Sequence, residues 1–193
     1  MYPEKKRIIL AVTGASGMAY GFRLAQVLSS RCELHLILSD AARLVIQEEA
    51  SFAPDTLFEL AHTSFTQHEF GAGPASGSWT HAGMVVCPCS MASLAAISHG
   101  LGTNLIHRAA DVTIKEKRPL ILVTRETPVS IIHLENMLAA ARSGAVVLPA
   151  SPGFYHRPVT IDDLVDHLVG RVLDQLGFEH DLFPSWKGVQ GLD

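Results

Sequence analysis

Cysteine is scarce in this chain. Cys32, Cys87 and Cys89 are odd in number and lie in or beside apolar runs, which argues against a disulfide framework and for a reducing, cytoplasmic setting. Cys87-Pro88-Cys89 has no second cysteine pair to complete a metal site, and the ten histidines show no zinc-helix spacing, so no metal is expected. Charge is scarce too, at 18% of residues with a net −4. Such a chain lacks the basic face of a nucleic-acid partner. No apolar run approaches the roughly 20 residues of a membrane span, and the N-terminal run from Ile8 to Gly14 suits a buried strand rather than a signal or anchor. Several enzyme signatures are missing as well. There is no G-x-G-x-x-G and no G-x-S-x-G elbow. Only Tyr2 is followed four places later by a lysine, ahead of the first strand, where it cannot serve a short-chain reductase.

What is present is apolar and alternating. Apolar residues make up 48% of 193, enough for one domain with a real core. Strand-length runs occur at Arg7–Thr13, Glu33–Ser39, Met84–Cys87, Leu120–Thr124 and Ala145–Leu148. Helical spacing occurs at Met18–Leu28, Ser90–Ser98, Leu105–Lys117, Ser130–Ala141 and Ile161–Leu176. The alternation predicts an α/β fold with a Rossmann-like, doubly wound parallel sheet in three layers. It forms one domain over residues 7–177, with a C-terminal segment, 178–193, packing near the site or a neighbouring subunit. Gly71–Gly77 reads as a flexible loop over a ligand.

In such sheets ligands sit beyond the carboxyl ends of the strands, and four junctions there are informative. Thr13-Gly14-Ala15-Ser16-Gly17 turns from the first strand into a helix, and its N–H groups would meet a phosphate. It suits FMN and NAD alike. Cys89-Ser90-Met91-Ala92-Ser93 opens a second helix, with Ser90 and Ser93 as caps or as ligands to a phosphate or ring edge. Arg125-Glu126 follows a wholly apolar strand. A charged pair at that position is costly unless used, and it fits phosphate recognition and proton transfer. Pro149 to Pro158 holds Phe154-Tyr155 in a proline-stiffened loop, with Arg171 on the helix that follows.

Together these junctions form a series: T-G-A-S-G-x-x-Y-G, P-C-S-M, N-L-x-x-R-A-A-D-V-x-x-K-E, R-E-T-P, H-x-E-N-M-L, G-A-V-x-L-P, P-G-F-Y-H-R-P and D-D-L-V-D-H-L-V. The series closely resembles the UbiX-type flavin prenyltransferases, from Arg7 to about Gly177. The resemblance implies a flavoprotein fold and transfer of a dimethylallyl group from dimethylallyl monophosphate to N5 and C6 of reduced FMN. The product would be prenylated FMN for a UbiD-type decarboxylase. It also implies a homododecamer and no metal. By the matching motifs, Gly14, Ala15, Ser16, Ser39, Ser90, Met91, Ala92, Ser93 and Arg108 would bind FMN. Lys115, Arg125, Glu126, Tyr155 and Arg171 would bind the prenyl phosphate or move protons, with Trp186 lining the pocket. Ser16, Glu49, Lys115, Arg125 and Glu126 form the expected catalytic set, Glu49 arriving from a neighbouring subunit. Two other readings are an FMN-dependent peptidyl- or pantothenoylcysteine decarboxylase and a non-catalytic FMN-binding subunit. The Lys115, Arg125-Glu126 and Phe154-Tyr155 set argues against the first, and a mere binder has no need of Glu126 beside Arg125.

Overall fold

The computed structural model describes residues 6–49, 52–184, 186 and 188. Its centre is a six-stranded, all-parallel sheet of β1 (Arg7–Val12), β2 (Glu33–Leu38), β3 (Thr63–Thr66), β4 (Gly83–Cys89), β5 (Leu120–Thr124) and β6 (Val146–Val147). The spatial order is β3-β2-β1-β4-β5-β6. The chain winds outward from β1 in one direction and from β4 in the other. The crevice between the carboxyl ends of β1 and β4 is thus the topological switch point, where doubly wound sheets bind ligands.

Alternation along β1 sorts its side chains onto two faces. Ile8, Leu10 and Val12 join a core with α1 (Met18–Ser29), α2 (Asp40–Glu49), α3 (Pro54–Leu60) and α7 (Ile161–Leu176). Ile9 and Ala11 join a second core with α4 (Met91–Ser98), α5 (Leu105–Lys115) and α6 (Ile131–Arg142). Covering both faces explains why the central strands read as unbroken apolar runs. Each fully buried Leu or Ile contributes about 1.5–3 kcal/mol.

Three elements were not expected from the sequence. Edge strand β3 is short and only half-buried, so it carries no apolar run. Helices α2 and α3 bury only Ala42 and Ile46, and Leu57, respectively, which leaves their periodicity weak. The expected flexible loop Gly71–Gly77 is instead anchored. It contains a 3-10 turn, Gly73–Ala75, and Arg108 Nε donates to the Ala75 carbonyl at 3.2 Å while Arg118 donates to Gly77 and Trp79. In the C-terminal segment Phe183 and His180 cover Gly170 so closely that a Cβ there would lie 2.3 Å from the Phe183 ring. Residues 185, 187 and 189–193 of that segment lie outside the described residues.

An aromatic group lies opposite the α1 side of the sheet. His35 packs against Trp79, Phe65 and His62, with Arg7 over the Trp79 ring and His81 beside it. Among the described residues, neither of the buried ring nitrogens of His35 has a hydrogen-bond partner. Burial, reinforced by His62, pulls the His35 pKa down to about 4, and burial likewise lowers His81 to about 4. Both rings stay neutral in the folded protein, whereas the unfolded chain protonates them near 6.5. The stability they allow is complete above pH 6.5 and declines as pH falls towards 4, by on the order of 2 kcal/mol per ring. Thermal melts of wild type and His35→Phe across this window test the effect. The variant is expected to lose less stability on acidification, and parallel pH profiles would refute the account.

Candidate active site

The switch-point crevice is tied at Thr13, whose amide donates to the Pro88 carbonyl at 3.2 Å. Thr13, 2% exposed, donates from Oγ1 to the Pro88 carbonyl at 2.9 Å and accepts from the Ser90 amide at 2.8 Å. It thereby locks the end of β1 to the end of β4. Ser90 caps α4 by accepting from the Ser93 amide, and its hydroxyl meets that of Ser93 at 3.2 Å. His107 Nε2 approaches the Ser93 hydroxyl at 3.4 Å, and Thr103 holds the other His107 nitrogen at 2.8 Å. Asn104 caps α5, and Arg108 follows one turn later, paired with Asp111 at 2.7 Å. Across the crevice Ser39 caps α2 through the Ala42 amide at 3.0 Å.

The first glycine turn is shaped by close packing. A Cβ on Gly14 would stand 2.5 Å from that of Ala41, and Gly17 adopts φ +100°, a conformation that favours glycine. The Ala15 and Gly17 amides of the turn are engaged, by the Thr13 carbonyl and Glu49 respectively, which differs from the expected open phosphate cradle. Glu49 accepts from the Gly17 and Met18 amides at 2.8 and 3.2 Å, and Ser16 also donates to it. Burial pushes the Glu49 pKa up, but these hydrogen bonds and Arg125 outweigh it and hold the carboxylate below its ordinary range. An anion at a helix N-terminus is the physical reason. Glu49 therefore reaches the site of its own chain, a correction to the expectation that it arrives from a neighbour.

Arg125 and Glu126 leave the end of β5, both exposed. Arg125 acts electrostatically on both Glu49 and Tyr20. Tyr20 is half-buried, and burial followed by Cys87 raises its pKa against the pull of Arg125. Glu126 accepts from the Thr127 amide at 2.9 Å. The neighbouring Thr124 hydroxyl is buried and has no hydrogen-bond partner among the described residues. Beyond β6, Tyr155 and Arg171 line an open cleft of about 730 Å³ with Trp186. Tyr155 and Trp186 meet edge to face at 5.8 Å, and Arg171 is held by Asp174.

One expected residue stands apart. Lys115 ends α5 and pairs with Glu116 at 2.7 Å, beside Gly77 and just ahead of β5. Arg125 lies beyond the other end of β5, so the length of the strand separates the two. A single chain brings Ser16, Glu49 and Arg125 together and gathers Tyr155, Arg171 and Trp186, but it leaves Lys115 at the opposite edge. Sequence reasoning overlooked the Thr13 clamp, Tyr20 and His107. The signal for Thr13 was available, as a polar residue between a buried strand and its glycine turn.

The donor set suits a flavin mononucleotide. Hydroxyls of Ser39, Ser90, Ser93 and Thr124 and the Arg108 guanidinium lie at the carboxyl ends of β2, β4 and β5 and in or beside the first turns of α2, α4 and α5. The flavoprotein family model matches residues 2–173. A flavin prenyltransferase UbiX of Methanothermobacter thermautotrophicus is 47% identical over 95% of this chain and 96% of its own. The chain belongs to the UbiX-type flavin prenyltransferase family. Among solved members, AnUbiX in complex with FMN and dimethylallyl pyrophosphate superposes with a TM-score of 0.95 at 41% identity, covering 97% of this chain and 100% of that one. A dodecameric UbiX-like protein described as an FMN-dependent decarboxylase, from Escherichia coli, gives 0.92 at 44%, covering 94% and 100%. The FMN-dependent cysteine decarboxylase TvaF, at 19% identity and 0.59 over 74% of this chain and 88% of its own, shares the fold alone.

If Glu49 neutralises the start of α1, Glu49→Ala is expected to lower stability by about 0.5–1 kcal/mol. Chemical denaturation at neutral pH measures this. A smaller loss for Glu49→Gln than for Ala would assign part of the effect to hydrogen bonding rather than charge, and no loss in either variant would refute the cap.

Proposed function

We propose that this protein is a flavin prenyltransferase. It transfers a dimethylallyl group from dimethylallyl monophosphate to reduced FMN without a metal ion, in the cytoplasm, and its prenylated FMN serves a UbiD-type decarboxylase. The observation that supports the reading is the meeting of Ser16 and Glu49 at the switch point within the field of Arg125, with Tyr155, Arg171 and Trp186 lining a second cleft. Reduced FMN supplies the nucleophilic N5 and C6 positions. Gly14, Ala15, Ser16, Ser39, Ser90 to Ser93 and Arg108 hold it.

The residues of the chain act on the donor. Arg125, Arg171 and the Tyr155 hydroxyl offset the charge that grows on the leaving phosphate oxygen. Arg171 exchanges its Asp174 contact for the phosphate. The Trp186 and Tyr155 rings flank the cation-like allyl carbon without attacking it. Glu126, or the released phosphate, accepts the C6 proton, with Ser16 and Glu49 assisting. Among the described residues its exposed carboxylate is hydrogen-bonded by the Thr127 amide alone, which leaves the second oxygen for that task.

Lys115 joins this set from another copy, since its own chain holds it at the far edge of the sheet. The dodecamer described for the Escherichia coli relative is the assembly expected here. Exposed Ile131, Ile132, Leu134 and Leu138 on α6 suit burial between subunits.

The diphosphate bound in the AnUbiX structure supports a second donor, dimethylallyl pyrophosphate. Anaerobic incubation with reduced FMN and either donor, without added metal, followed by mass spectrometry of the released flavin, separates the two. The monophosphate is expected to yield flavin heavier by one prenyl group. Unmodified flavin with FMN still bound would overturn the proposal, and turnover with the diphosphate alone would reassign the donor. Glu126→Gln is expected to slow ring closure at least tenfold, and normal closure would transfer the proton to phosphate. Lys115→Ala and Arg125→Ala are each expected to be nearly inactive. Co-assembled, they should regain about a quarter of wild-type activity, because random mixing rebuilds that share of intersubunit sites. No recovery would place Lys115 in its own chain's chemistry.

A further inference from the structure

We infer that His167 is a positioning residue that sets the Tyr155 hydroxyl as a hydrogen-bond donor towards the allyl phosphate. The inference rests on the reading of Tyr155 as a phosphate ligand. It begins with an oddity in α7, whose core-facing stripe is Val165, Leu168, Val169, Val172 and Leu173, while His167 is buried on the opposite face under Tyr155, His156 and Phe183. An imidazole buried there, 6% exposed, is costly unless its polar atoms are bonded.

Both of its nitrogens are bonded, and the partners fix the direction of each bond. The Gly153 amide has only a hydrogen to offer and donates to His167 Nδ1 at 3.3 Å. Nδ1 is therefore the acceptor, and the neutral ring carries its proton on Nε2. Nε2 lies 3.0 Å from the Tyr155 hydroxyl. The phenol oxygen accepts that proton, so its own O–H is left to donate elsewhere. The open direction is the cleft it lines with Arg171 and Trp186. In the other tautomer the phenol would spend its hydrogen on the histidine and present only lone pairs, which repel a phosphate.

The rest of the surroundings hold this arrangement in place. His156 stacks on His167 with ring centroids 4.8 Å apart and planes within 3°, and Phe183 covers it at 4.7 Å. Gly153 admits the pair because a Cβ there would stand 2.9 Å from the Tyr155 ring and 3.4 Å from His167. Burial, followed by His156 and Arg171, lowers the His167 pKa, in keeping with a neutral ring.

The test uses His167→Phe, which keeps the stacked ring and removes both hydrogen bonds, and His167→Gln, whose amide nitrogen stands near the Nε2 position. Two quantities are read: the KM for dimethylallyl monophosphate and the Kd of the FMN-loaded protein for inorganic phosphate by calorimetry. His167→Phe is expected to raise both about three- to tenfold with little change in FMN affinity, and His167→Gln to restore most of the loss. Because the effect passes through the phenol, His167→Phe in a Tyr155→Phe background should add nothing. Penalties that multiply in the double variant, or a neutral His167→Phe beside a damaging Tyr155→Phe, would overturn the inference. A neutral Tyr155→Phe in an active enzyme would overturn it together with the phosphate role of Tyr155. Wild type that makes no prenylated flavin removes the functional reading instead, while the phosphate titration still reads the coupling between the two residues.

Discussion

The hydroxyl of Thr13 occupies the point where the sheet changes direction. By giving its proton to Pro88 and accepting one from Ser90, it joins two strands whose following helices depart to opposite faces. Backbone pairing between β1 and β4 follows a register only as far as Ala11 and Val86, and beyond it Thr13 ties the strand ends through both its amide, to the Pro88 carbonyl at 3.2 Å, and its hydroxyl. With the side chain fixed there, the glycine turn after β1 and the serine cap of α4 keep a set distance. Every ligand proposed for this protein would sit between them. A buried hydroxyl that both donates and accepts is worth more than its modest net energy, because removing it takes the partner of the Ser90 amide and leaves the Pro88 carbonyl to the Thr13 amide alone.

Charge follows the same geometry. The carboxylate of Glu49 faces the positive end of α1, and Arg125 stands close enough to act on it and on Tyr20. The site is thus an arrangement of mutually compensating charges on a chain that is otherwise poor in them. Lys115 breaks the pattern only when one chain is considered. Helices in a parallel sheet run opposite to the strands, so a residue at the end of α5 lies at the edge where β5 begins. An oligomer is the economical way to bring that cation to a phosphate at the other edge.

Histidine serves two contrasting purposes in this structure. His35 and His81 are held neutral by burial and make the amino-edge aromatic cluster sensitive to acid. His167 is buried but bonded at both nitrogens, and there the partners, not the burial, decide what the ring does. The number of histidines in the sequence says nothing of this difference.

Much of the architecture was written in local patterns. Apolar runs marked β1, β2, β4 and β5, and helical spacing marked α1 and α4 to α7, because burial on both faces of a sheet, or on one face of a helix, leaves a periodic trace. Edge strand β3 and helices α2 and α3 bury too little to leave one. Motif order sufficed for the family, and residue type at strand ends for Arg125, Glu126 and Tyr155 as candidates. Tertiary structure alone decided which of these meet. Glu49 folds back onto its own α1, Lys115 is carried to the far edge, and His167 takes the tautomer that Gly153 imposes. Each outcome depends on distances between residues remote in sequence, and hydrogen-bond direction is fixed only once both partners are in place.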